Sequence, residues 1–277
     1  MTYKLKLSSL LALTLFTGSA LADGSPWLPA HGSTTLSANI TSGSTEEFFF
    51  GEDTIDLGSE LNGTFLWLNG IYGYDDIWAF DARIGYADTE LTSNSLNDQS
   101  ELADTTFGVS YQFINEFEAD NGWPTITGRL ALTIGGDYDP NITNAIGDGA
   151  SGIDASILVG KSLNSSFALI GDITLRQRDS NVANGVKYLF GTAYTSPIRG
   201  LGFQLALAGI RTDSDLDLGE VGFDQFSETN RDTDFLVAGV NYGFGNGISL
   251  GFSYTALING RNVPDTDVGN FSISYSF

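Results

Sequence analysis

Residues able to do chemistry are few in this chain, and they are sorted by position. The 277 residues include one histidine, His31, and no cysteine. Without a thiol there is no disulfide framework and no thiolate metal site. A nucleophile activated by histidine would have to be built on His31, which stands in "PWLPAHG" ahead of the first patterned segment. Nucleophile–base pairs of the usual kind are therefore missing, and the chain is not expected to be an enzyme. The other charged residues say more. Asp81, Arg83, Arg129, Asp154, Asp172, Arg176, Arg178 and Lys187 each fall on the polar side of an alternating stretch. Acids and bases gathered on such faces would form a ladder of ion pairs, or line a polar passage and set its ion preference. A further group, Asp213, Asp215 and Asp217 in "TDSDLDLGE", places carboxylates at every second position, as calcium loops do. The helix–loop–helix calcium signature wants glycine at the sixth loop position. Leu218 stands there, and Gly219 follows one later. The segment fails as that motif and reads as a solvated acidic loop or as a loose surface site for a divalent cation. No other cofactor is expected.

Strands must carry these groups. In "WAFDARIGYA" Trp78, Phe80, Ala82, Ile84 and Tyr86 share one face, and Ala79, Asp81, Arg83, Gly85 and Ala87 the other. The same division runs through "TITGRLALTI", "FALIGDITLRQR" and "ISLGFSYTA". A wholly apolar face opposite a charged one means that the apolar side meets a nonpolar medium. About twelve such segments are expected, near 33–42, 60–74, 77–89, 104–114, 125–136, 152–161, 166–178, 185–195, 201–212, 233–244, 248–257 and 267–277. Strands of about ten residues suit a tilted crossing of a bilayer.

The connections alternate. Short ones fall at 74–77, 162–166, 196–200 and 244–248, with 115–123 somewhat longer; long polar ones are expected at 43–59, 89–103, 137–151, 213–232 and 258–266. The stretch at 179–184 is short where a long one is due. Such sorting gathers the long, acidic loops at one end of an up-and-down sheet. Aromatic residues, among them Tyr72, Tyr74, Trp78, Tyr111, Phe113, Tyr194, Tyr242 and Phe244, cluster near strand ends, where interfacial girdles belong.

The start of the chain has its own logic. Residues 1–22 carry Lys4 and Lys6, an apolar run and the small-residue ending Ala20-Leu21-Ala22, the layout of a cleavable signal peptide. The remaining 23–277 are expected to form one domain. Without the two leader lysines, ten Lys and Arg stand against 34 Asp and Glu, a net charge of −24. That balance argues against nucleic acid as a partner, since phosphate binding needs cations. A hydrophobic share of 42% argues for a folded chain.

An export leader, an even number of strands, alternating loop lengths and the ending "VGNFSISYSF" together resemble a Gram-negative outer-membrane β-barrel. The resemblance spans the mature chain at the level of architecture. It implies an all-β, single transmembrane up-and-down antiparallel barrel in the cell outer membrane, with both termini periplasmic. It also implies that Phe271, Ile273, Tyr275 and Phe277 form the signal read by the barrel-assembly machinery. Outer-membrane lipid and lipopolysaccharide would then be partners, and the Asp213–Asp217 segment could bridge to lipid phosphates through a divalent cation. Physics adds a second duty for the last strand. An unpaired sheet edge in lipid costs several kcal/mol per group, so 267–277 should close against the first strand near Thr34–Thr41.

Twelve strands lie between barrels filled by side chains and barrels with an open channel. Small inward residues elsewhere (Gly85, Ala87, Gly191, Ala193, Ala206, Ala208, Gly251, Ser253) are expected to leave room on the wall opposite the inward charges. The leading expectation is a narrow porin-like channel for small hydrophilic solutes or ions. The alternatives are a non-conducting structural or surface-interaction barrel acting through its acidic loops, and a transporter of hydrophobic solutes using inward Phe65 and Trp67.

Overall fold

The structure, a computed structural model, describes residues 24–92, 98–119, 122–222 and 226–277. The expected signal peptide, 1–22, lies outside the described residues. Thirteen strand segments follow in chain order: β1 (Thr34–Phe50), β2 (Asp53–Gly73), β3 (Trp78–Leu91), β4 (Gln99–Leu102), β5 (Thr105–Ile114), β6 (Thr125–Ile134), β7 (Gly152–Ser162), β8 (Phe167–Arg178), β9 (Gly185–Thr195), β10 (Leu201–Thr212), β11 (Thr233–Gly243), β12 (Ile248–Gly260) and β13 (Asp267–Ser276). β4 and β5 both pair with β3 and act as one stave broken at Ala103–Asp104. The result is an antiparallel, up-and-down barrel of twelve staves. Among the described residues no helix is long and apolar enough to cross a membrane.

Closure is by the last strand, as expected. β13 pairs with β1 from Thr35↔Ser276 to Ser44↔Asp267, and Thr34 and Phe277 exchange both backbone hydrogen bonds at 2.8 and 2.9 Å. Phe271, Ile273, Tyr275 and Phe277 all point outward and are about half exposed. The serine face points in: Ser274 meets Ser249 at 2.6 Å, and Ser276 meets Thr35 at 2.8 Å. Each stave repeats this division. Leu130, Leu132, Ile134, Ile173, Leu175, Phe203 and Leu205 are exposed, while Thr127, Arg129, Asp154, Asp172, Thr174 and Ser272 are buried. Apolar outside and polar within is the requirement of a barrel in lipid. Ring pairs at the short-turn end include Trp78–Tyr111, Tyr111–Phe113, Tyr194–Phe203 and Tyr275–Phe277.

Two expected loops are otherwise built. Residues 43–59 are not a loop but the continuation of β1 and β2, which stay paired up to Phe50↔Asp53 and turn at Gly51, φ +60°. Polar composition hid this arm. It is held by the chain beside it: Phe48 forms a backbone β-bridge with Pro264, the Phe49 amide donates to the Val263 carbonyl and the Gly51 amide to Asn262 Oδ1, and the Phe49 and Phe50 rings lie against Gly260 and Gly219. Residues 89–103 are likewise partly strand, through the end of β3 and β4. The short 179–184 connection turns through left-handed Ser180 and Asn181.

Candidate functional site in the barrel lumen

All eight charged residues expected inside do face the lumen, and they are matched rather than arrayed as a free basic stripe. Arg129 on β6 grips Asp81 on β3 with its side-on edge, Nε–Oδ1 2.9 Å and Nη2–Oδ2 2.5 Å. The pair reaches across β5 because Gly108 lies between them. Arg178 grips Asp154 at 2.7 and 3.1 Å, with Lys187 Nζ 3.9 Å from the same carboxylate. Asp172 accepts from Thr174 Oγ1 at 2.8 Å, and Thr174 Oγ1 lies 2.7 Å from the Ser156 hydroxyl. Arg83 stacks over the Trp67 ring at 3.7 Å, and Trp67 lies on Gly85. These groups line one half of the wall, β3 to β9. The other half, β10 to β13 and β1, presents Gln204, Asn241, Ser253, Asn270, Ser272 and Thr41.

The chain before β1 enters this bore, which the sequence reading missed. His31 Nδ1 lies 2.8 Å from the Tyr74 carbonyl at the short-turn rim, and Pro29 and Ala30 press on Gly73 of β2. From there the segment crosses to the opposite wall. The Pro26 carbonyl accepts from Gln112 Nε2 at 3.1 Å and Thr127 Oγ1 at 2.7 Å. Trp27 is 5% exposed and packs on Ile170, Leu189, Ala193 and Ala208, with Ala168 and Ala206 alongside. Its indole N–H donates to Glu116 Oε1 at 3.0 Å. Glu116 folds in from the β5–β6 turn and also accepts from the Ser162 amide and pairs with Lys161. The room expected beside the small residues of β9 and β10 is thus filled by Trp27. The legible signal was "SPWLP": a tryptophan between prolines, facing alanines one indole deep.

The long-loop end of the barrel is covered by inward-folded loops. From residues 135–151, Tyr138 and Ile146 pack on Ala87 and Ala103, with Phe65 and Trp67 against them. Tyr138 donates to Asp104 at 2.6 Å, and Asp104 also takes the Gly136 amide, which is why the stave breaks there. Burial and the neighbouring Asp104 push the Tyr138 phenol well above its ordinary value. Asn144 locks to Thr89, whose hydroxyl donates to the Asn144 carbonyl at 2.7 Å. Asp148 pairs with Arg176 of β8 and, at 2.5 Å, with Arg231 from the β10–β11 loop. Burial lowers the Arg231 guanidinium to about 10.

The three aspartates considered for a cation lie in this second loop. Asp217 is gripped by Arg261 at 2.8 and 2.6 Å and by Asn262 Nδ2 at 2.7 Å, and the first-named contact holds its carboxyl below the usual range. Asp213 and Asp215 are exposed, Asp213 beside Asn184 at 3.4 Å. Among the described residues no group of three or more His, Cys, Asp or Glu has a metal-holding arrangement.

No protein-family model matches the sequence, and no curated protein matches it. Solved structures match the fold. The COG4313 outer membrane channel from Pseudomonas putida F1 superposes with a TM-score of 0.75 at 14% identity, covering 92% of this chain and 99% of that one. The KdgM porin gives 0.52 at 9%, covering 86% and 99%. The translocator domain of the autotransporter NalP from Neisseria meningitidis gives 0.50 at 12%, covering 90% of each. At these identities the likeness is one of fold: a barrel of the outer-membrane type.

Proposed function

We propose that the protein is an outer-membrane channel for small hydrophilic solutes or ions, held narrow by its N-terminal segment. The observation that carries this reading is the Pro26–Trp27 segment, which crosses a polar bore as a piece of chain outside every strand. Here the filling is a separate piece of chain, held by the buried Trp27 ring, a Glu116 latch and two hydrogen bonds to the Pro26 carbonyl, and residues 24–33 belong to no strand. The hydroxyl and amide wall facing the ion-paired wall suits hydrated solutes. The apolar alternative draws on Phe65 and Trp67, which the chain covers with its own Tyr138 and Ile146.

The test is single-channel conductance in a planar bilayer for the mature chain and for one lacking 23–29. The mature chain should show low or intermittent conductance, and the shortened chain steady openings several-fold larger. Equal conductance would remove the segment from any gating role. Two silent, correctly folded barrels would overturn the channel reading and favour contacts made by the loops.

A further inference from the structure

The depth that the segment ahead of β1 reaches in the bore sets a condition on what can precede it. Pro29 and Ala30 lie at the short-turn rim, on Gly73. The Pro26 carbonyl has climbed to Thr127 of β6. Gly24 stands two wall residues higher: a Cβ built on it would meet Arg129 Cδ at 3.2 Å and Leu158 Cδ1 at 3.3 Å. Arg129 is the fifth of the ten residues of β6. Followed back from β1, the segment is therefore still climbing at mid-wall.

Neither beside it nor above it is there room for more chain. Pro26 and Pro29 are fully buried, and Trp27 is 5% exposed. Gly160 yields its place to them, since a Cβ there would stand 2.6 Å from Trp27 Cζ2 and 2.7 Å from Pro26 Cγ. A second pass of backbone needs about 5 Å of width before its side chains are counted. Above Gly24, Arg178 grips Asp154 with only 4% of each side chain exposed, and Asp148 meets Arg176 and Arg231 at the inward loops. An interior packed to this degree admits an extra segment only by displacing what fills it.

The leader expected at 1–22 is such a segment. It carries Lys4, Lys6 and an apolar run, and it ends in Ala20-Leu21-Ala22, directly before Asp23 and Gly24. Extended, it spans up to about 75 Å. Barrel closure makes no demand on this end of the chain, because Thr34 and Phe277 exchange their backbone bonds and residues 24–33 belong to no strand.

We propose that the lumen seats residues 24–33 only as a free chain end, so that hydrolysis of the Ala22–Asp23 bond is the step that lets Trp27 dock. A leader protease of the export route adds water across that amide; Ala22 leaves with the new carboxylate and Asp23 keeps the new ammonium. A barrel that retains the leader closes through β13 and β1 but holds its N-terminal segment out of the seat. The proposal concerns where the segment sits and not whether ions pass, so a barrel silent in a bilayer leaves it testable.

The chain has no cysteine, so Ser25→Cys places a single thiol between Gly24 and the buried Pro26. Its rate of reaction with a bulky maleimide is measured on refolded barrels in detergent. One barrel starts at Asp23, and the other carries a Gly/Ser extension of the leader's length ahead of Asp23. Ser165→Cys, on the exposed β7–β8 turn, is the control in both. In the Asp23 chain the thiol at position 25 should react about tenfold or more slowly than the control. In the extended chain it should react as fast as the control. Heat-modifiable gel mobility checks that each barrel is folded. Trp27 emission, taken as the difference from Trp27→Phe, gives a second reading that needs no thiol: blue-shifted in the Asp23 chain and red-shifted in the extended one. Slow reaction in both chains overturns the free-end requirement and leaves the segment in the bore. Fast reaction in both removes the segment from the bore and overturns this proposal and the gating reading together.

Discussion

Gly108 lies on the strand between Asp81 and Arg129, and a Cβ there would stand 2.5 Å from Asp81 Oδ1 and 2.6 Å from Arg129 Nη2. The ion pair therefore depends on a residue with no side chain. Removing either partner leaves the other charged in a largely dry place, since the Arg129 side chain is only 4% exposed. Breaking a buried pair costs about 3–5 kcal/mol, so Asp81→Asn and Arg129→Gln should each lower the unfolding free energy in urea by about that much. The double variant should lose clearly less than the sum, because the two changes remove one interaction. Losses that simply add would mean that the two groups do not stabilise each other. At this scale much was legible: the inward parity of all eight charges follows from alternation alone. Their partners were not. Asp81 and Arg129 sit on strands that do not touch, and Asp148 comes from a loop, so neither pairing follows from spacing. The acidic triplet shows the same limit, since Asp217 is matched to Arg261, 44 residues away.

Among elements, the transmembrane staves were legible and the pieces above and within them were not. Lipid imposes a period of two on every crossing strand, and that signal survives without any knowledge of neighbours. The β1–β2 arm beyond the membrane has no such constraint; its polar residues read as loop while Phe48, Phe49 and Phe50 anchor it to neighbouring loops. The lumen segment has no period at all. β13 carries both kinds of information. Its backbone closes the barrel through Thr34, and its outward aromatics take no part in that closure. The two roles separate in one variant. Phe277→Ala keeps both backbone bonds, so the refolded barrel should keep its stability to within about 1 kcal/mol. If the terminal aromatic is the assembly signal, the same change should cut the amount of folded protein in the outer membrane several-fold. Undiminished assembly in cells, measured by heat-modifiable mobility, would remove that role from Phe277.

Over the whole molecule, charge is separated by place. The bore is close to balanced: Arg83, Arg129, Arg176, Arg178, Lys187 and Arg231 stand against Asp81, Asp104, Asp148, Asp154 and Asp172. Much of the net charge of residues 23–277, ten basic groups against 34 acidic, belongs to the β1–β2 arm and the long loops beside it, where Glu46, Glu47, Asp53, Asp56, Asp213, Asp215 and Glu220 are exposed. An ion approaching from that side meets a negative field before it meets the matched wall. Such a field acts through solvent and is screened, with a reach of about 10 Å at 0.1 M salt and about 3 Å at 1 M. A wall of buried ion pairs is screened much less. The barrel lacking 23–29 should therefore prefer cations in a gradient around 0.1 M and lose most of that preference near 1 M. Replacing Asp53, Asp56, Asp213 and Asp215 by Asn should reproduce the high-salt behaviour at low salt. A preference that persists at 1 M, or that ignores the loop changes, would place selection within the bore. There the unequal walls, ion-paired from β3 to β9 and hydroxylated from β10 round to β1, would have to supply it.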